Sequence, residues 1–173
     1  VKYYKTLEIY KNSNASNIYN PNTKEAWSYE WWQYVRQYNV NGNKIIVFNN
    51  ATYSNITSKH QYQTRSLMGQ LGHNIDLYVD CPEGLQKGLE SSVEHYFYEI
   101  DQFIEQAKKK SSRRSTNLNR VSEIQKRLNK IDYMFKYNLV NFQNNLEIQA
   151  KIYSAENFCA NVINNEGKFH ETI

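Results

Sequence analysis

The sequence predicts an α+β fold: an N-terminal antiparallel β-sheet with one helix, followed by a long antiparallel helical hairpin and a C-terminal helix. Three observations predict it. Asn41-Gly42 sits between two β-prone runs. From Leu85 to Phe135 apolar residues step by threes and fours, with one polar break. The chain has 173 residues, 40% of them hydrophobic, enough for one domain with a core of its own. No internal repeat or clean linker divides it. One domain over 1–173 is therefore expected, β-rich over 1–84, helical over 85–163, with a frayed tail over 164–173.

Residues 2–10 read as one strand, with Tyr3, Lys5, Leu7 and Ile9 on one face. Asn12 to Lys24 reads as a loop, turning at Asn20-Pro21-Asn22. A dense aromatic run follows: Trp27, Tyr29, Trp31, Trp32, Tyr34 and Tyr38. Trp31–Tyr38 and Lys44–Asn49 form a hairpin, because Asn41-Gly42 supplies the positive φ that a tight turn needs. Thr57 or Ser58 reads as the N-cap of a helix over 59–71, stopped by Gly72. Ile75–Val79 alternates as a short strand.

Leu85, Leu89, Val93, Tyr96, Ile100, Phe103 and Ala107 then make one helical stripe. Lys108 to Thr116 interrupts it. A second stripe runs through Leu118, Val121, Ile124, Leu128, Ile131 and Phe135, with Leu139 and Phe142 continuing its spacing. The two stripes make the helical hairpin. Ile148, Ile152, Ala155, Cys159 and Val162 give the last helix.

Composition excludes several function classes. With 21 basic and 17 acidic residues the net charge is +4, which suits attraction to anions and rules out an acidic mimic of DNA. Two distant cysteines allow one bridge but no disulfide framework, so a reducing cytosol and two free thiols are expected. The polar N-terminal residues resemble no signal peptide, and no stretch approaches the ~20 apolar residues of a membrane span. The 15 tyrosines against 7 phenylalanines suit core margins, where the ring is dry and the hydroxyl wet.

Two basic segments are the candidate ligand-binding residues. The first is Thr57, Ser58, Lys59 and His60, with Arg65 further along. A helix N-terminus there would offer free N–H groups and a favourable dipole to a phosphate or nucleotide. The plain alternative is an ordinary capped helix with exposed polar residues. The second is the connector, where Lys108, Lys109, Lys110, Arg113, Arg114 and Arg120 place six cations within thirteen residues. Arginines grip phosphates with two parallel hydrogen bonds. The plain alternative is that lysines complement a helix C-terminus and keep a turn soluble. Alternate rings of the aromatic run would stack bases if exposed, but more often such rings form the sheet's own core.

Nothing points to catalysis. His95 and Glu99 share a helix face, and Asp76, Asp80 and Glu83 precede it, without a recognised metal-ligand spacing. No nucleophile elbow, Walker loop or dinucleotide fingerprint appears, and six glycines leave little room for one. No catalytic residue, metal or cofactor is assigned.

The segments Lys2-Tyr3-Tyr4-Lys5, Ile46-Val47-Phe48-Asn49-Asn50 with Tyr53-Ser54, and Thr57-Ser58-Lys59-His60-Gln61 resemble uncharacterised proteins of large tailed bacteriophages. The resemblance covers roughly the first 130 residues, including the Ser112-Arg113 turn. That family has no established activity, so no residue role carries over. The resemblance implies an accessory protein in the host bacterial cytoplasm, acting on host processes or defences. An Asn-, Lys-, Tyr- and Ile-rich composition agrees with an AT-rich genome. Two functional expectations follow: binding of nucleic acid or a nucleotide through the basic residues, or a helical module that grips a host or defence protein.

Overall fold

A computed structural model of the chain describes residues 4–6, 9–11 and 16–171. It is an α+β protein with seven strands and four α-helices among those residues. It divides into two compact units, Val1–Ser92 and Val93–Ile173.

In the first unit the strands are β1 (Tyr4–Thr6), β2 (Ile9–Lys11), β3 (Asn17–Asn20), β4 (Glu25–Ser28), β5 (Trp32–Val40), β6 (Asn43–Asn49) and β7 (Leu77–Val79). They form one sheet in sequence order. Each pair from β1 to β6 is antiparallel, whereas β7 lies parallel to β6. The expected antiparallel sheet is there in β1 to β6, and the short strand expected over 75–79 joins it as β7. The parallel pair arises because helix α1 (Asn55–Gln70) carries the chain back before β7 begins, and a parallel neighbour needs such a crossover.

The β5–β6 hairpin is as expected. Val40 pairs with Asn43, and Asn41 and Gly42 hold φ of 51° and 81°. The single strand over 2–10 is corrected to two, β1 and β2, paired from Tyr4↔Lys11 to Thr6↔Ile9. Residues 7 and 8 lie outside the described residues, and the sequence carries no turn signal there. The loop over 12–24 is likewise corrected. Its second half contains β3, while the turn after Asn20 stands, held by the Asn20 side chain accepting from the N–H groups of Asn22 and Thr23. Buried Asn17 finds its partners on α1, which is how a weak strand former sits in a strand.

A β-bulge opposite Ala26 and Trp27 makes Tyr34 an extra residue in β5. Tyr34 and Val35 therefore both turn into the core, with Trp32, Ile46, Phe48, Leu67 and Met68. The 3-10 turn Leu85–Lys87 also packs on β5, burying Leu85.

Helix α1 begins earlier than expected. Its N-cap is Ser54, whose hydroxyl accepts from the Thr57 N–H at 3.2 Å; neither Thr57 nor Ser58 is the cap. The buried face Thr57, His60, Gln61, Thr64, Leu67 and Met68 fixes this phase. Gly72, with φ 72°, ends it as expected, the His73 N–H returning to the Met68 carbonyl.

In the second unit, helices α2 (Leu89–Lys108, entering from the first unit), α3 (Arg114–Lys136) and α4 (Asn145–Asn164) form a bundle. Arg127 meets Glu99 and the Phe103 ring, Lys130 lies over Tyr96, and Asn117 reaches the Ala107 carbonyl. Positions fall along α2 as they rise along α3, so the expected hairpin is antiparallel. Helix α3 stops at Lys136 and does not continue through Leu139. Asn138 adopts a positive φ of 53°, and the Leu139 N–H caps the Met134 carbonyl. All five residues expected to face inward from α4 are buried.

The tail over 164–173 was expected to fray, and through His170 it does not. Phe169 stacks on Phe158 with ring centres 5.3 Å apart, and the Asn161 side chain donates to the His170 carbonyl at 2.6 Å.

Candidate anion site at the α2–α3 turn

The eight candidate residues separate by unit. Thr57, Ser58, Lys59, His60 and Arg65 belong to the first, Arg113, Arg114 and Arg120 to the second.

On α1 the set splits between two faces. Thr57 and His60 are buried, while Ser58, Lys59 and Arg65 are exposed. His60 Nδ1 lies 2.7 Å from the Ser28 hydroxyl and Nε2 3.4 Å from the Ser16 hydroxyl. Beside it, Tyr34 donates to Asn17 Oδ1, and its hydroxyl is 2.5 Å from that of Thr64. This is a polar seam between helix and sheet. Arg65 lies over the Phe48 ring and donates to Asn50 at 3.4 Å. With Ser54 already capping the first turn, these residues do not converge on one ligand.

The seam carries a pH dependence. Burial holds His60 below the ordinary histidine value of 6.5, and burial with help from Lys24 does the same to His73, which meets the Tyr19 hydroxyl at 2.7 Å. Lowered folded values mean that the folded state binds fewer protons than the unfolded chain. The stabilisation is therefore complete above the ordinary value and declines as pH falls through 6.5 toward the lowered values. Urea denaturation at about pH 7.5 and about pH 5 should show the parent weakened in acid and His60→Gln weakened less. An equal acid loss in both would contradict it.

The second set is concave. Helix α2 ends at Lys108, and Ser112 turns the chain by donating its hydroxyl to the Lys109 and Ala107 carbonyls at 2.6 and 3.1 Å. Arg113 is then the N-cap residue of α3, with no side-chain capping bond and no acidic residue in the first turn. A hollow of about 300 Å³ opens beside it, lined by Gln106, Lys109, Ser111, Ser112, Arg113, Thr116 and Arg120. No carboxylate lines it.

The organising residue is Asn117, fully buried. Its amide donates to the Ser112 hydroxyl and the Gly167 carbonyl, each at 2.9 Å, and its oxygen accepts from Arg120 at 2.9 Å. Sequence reasoning put Leu118 on this stripe, but Leu118 is 42% exposed. The available signal was the spacing Asn117, Val121, Ile124, a polar residue at a core position. Arg114 turns elsewhere, 3.9 Å from the Glu166 carboxylate. Lys108 lies over the Phe169 ring.

The plain reading of the connector explains Lys108 to Lys110, because cations favour a helix C-terminus. It does not explain Arg113, whereas Arg114 is turned to Glu166. Cations at a helix N-terminus oppose its dipole, by about 0.3–1 kcal/mol each when exposed. An anion in the hollow would reverse the sign of that arrangement.

The other chemical groups have structural partners. His95 pairs with Glu99 at 3.1 Å, and Glu99 pairs with Arg127 at 3.1 Å. Among the described residues no cluster of three or more His, Cys, Asp or Glu could hold a metal. Cys81 and Cys159 are unpaired and buried, and burial pushes both thiols up, Cys159 to about 11. No described helix is long and apolar enough to cross a membrane. Comparison with protein-family models, with curated proteins and with solved structures gives no match for this chain.

Proposed function

We propose that the protein binds a phosphate-bearing ligand, a nucleotide or nucleic acid in the broadest reading, at the hollow beside the α2–α3 turn, without catalysis. One observation carries this: three cations and an uncapped helix N-terminus meet at one concave place with no acidic residue. The N–H groups of the first turn lack intrahelical partners, and a bound anion satisfies both them and the dipole. The resemblance to phage proteins supplies the setting we attach to it, an accessory role against host processes or defences in an infected bacterium.

The test is titration of phosphate-bearing probes at two salt concentrations. The parent should bind more weakly at higher salt, as charge pairing requires. Arg113→Ala and Arg120→Ala should each cost about 1–3 kcal/mol, the range for hydrogen bonds to charged groups.

A second reading has its own observation. Trp31 is 49% exposed and sits edge-on to Tyr53, itself 57% exposed, at 5.2 Å. The turn before it places Tyr29 and Glu30 at positive φ, 55° and 66°, a strained conformation for both. Exposed aromatics of this kind suit a protein partner. A parent that binds no anion at low salt would move the assignment to that surface and to a host or defence protein.

A further inference from the structure

Resting on the reading above, we infer that the ligand is a compact phosphate monoester, bound as a dianion, and not a nucleic-acid strand. The size of the hollow is the first argument. At about 300 Å³ it matches the small end of small-molecule sites, which span roughly 300–1,000 Å³. A sugar phosphate fills such a space; a polymer would cross it and leave it mostly empty.

Charge is the second argument. Lys109, Arg113 and Arg120 line one hollow from the end of α2, the start of α3 and the second turn of α3. A monoester carries about −1.5 to −2 at neutral pH and three acceptor oxygens. Three converging cations suit that concentrated charge better than the single charge of a diester. The remaining lining, Gln106, Ser111, Ser112 and Thr116, offers amide and hydroxyl groups to a polyol.

Beyond the hollow the cations do not continue as a track. Arg114 is turned to Glu166, Lys108 to Phe169, and Lys168 donates to the Ser112 carbonyl. Down the same face of α3, two turns beyond Arg120, Arg127 is neutralised by Glu99 and Glu123 at 3.1 and 2.9 Å. Single-strand binders combine an extended positive groove with aromatic faces for the bases. No aromatic side chain lines this hollow.

Calorimetric titration of the full chain would compare ribose 5-phosphate, its phosphate methyl ester, and an oligothymidylate of about 20 nucleotides without terminal phosphates. The monoester should bind at least about tenfold more tightly than the diester and than the oligonucleotide per site. Arg120→Ala should lower monoester affinity about tenfold and weaken oligonucleotide binding by less than that. Oligonucleotide binding that is tighter, and that grows with length, would overturn the inference while leaving the anion site standing. No binding of any probe would overturn both.

Discussion

Gly167→Ala should lower the stability of the chain by about 2–5 kcal/mol, seen as an earlier urea transition at unchanged slope. Gly167 holds φ of 97°, outside the range where L residues rest. A Cβ built there would lie 2.6 Å from the Arg114 carbonyl oxygen and 2.9 Å from its Cα. Those are backbone atoms at the first turn of α3, so no side-chain rotation relieves the clash. The glycine follows Glu166 at the end of α4, where its N–H caps the Val162 carbonyl and its carbonyl receives Asn117. The backbone conformation contributes about 1–2 kcal/mol of the expected loss and the overpacking about 1–3. An alanine variant within about 0.5 kcal/mol of the parent would show that the tail does not press on α3 as described.

Asn117→Ala should cost a similar amount, about 2–4 kcal/mol, for a different reason. Truncation leaves the buried Gly167 carbonyl without its donor, at about 1–3 kcal/mol, and takes one hydrogen bond of about 0.5–1.5 kcal/mol from the half-buried Ser112 hydroxyl, which keeps those to Lys109 and Ala107. It also frees Arg120, which Asn117 Oδ1 holds at 2.9 Å. Asn117 touches no ligand in this account, so it is a positioning residue. Under conditions where the variant is folded, its affinity for a phosphate monoester should fall by about threefold to tenfold. A variant that loses stability but keeps full affinity would mean that the Asn117–Arg120 bond braces the turn without shaping the hollow.

Much of the fold was legible because local signals agreed with it. Asn41-Gly42 had the turn chemistry its hairpin uses, and the stripes from Leu89 and from Ile148 were wide enough to fix two helix faces, although Leu85, expected to open the first of them, lies in a separate 3-10 turn before α2. The misses have physical causes. Strand β3 is half asparagine, and it pairs because Asn17 bonds to Thr64 and Tyr34 across the seam, long-range contacts that no local pattern reveals. The parallel position of β7 depends on where α1 delivers the chain. The tail looked frayable because Asn164 to Lys168 is polar, yet Phe169 docks and Gly167 fits where only glycine can. At the site, Arg113 and Arg120 were legible as charge. Their alignment was not, since it depends on a buried asparagine one position away from the leucine that periodicity favoured. On α1, Thr57 and His60 looked like surface ligands because the helix was started at residue 59 and not at Asn55, which hid that both are buried.

The most direct test of the central claim compares the two basic segments in one titration. Ribose 5-phosphate would be titrated at low salt into the parent, Arg113→Ala and Arg65→Ala. A site beside the α2–α3 turn predicts a loss of about 1–3 kcal/mol for Arg113→Ala and affinity within about 0.5 kcal/mol of the parent for Arg65→Ala. Equal affinity in Arg113→Ala and the parent, with the loss falling on Arg65→Ala, would contradict it.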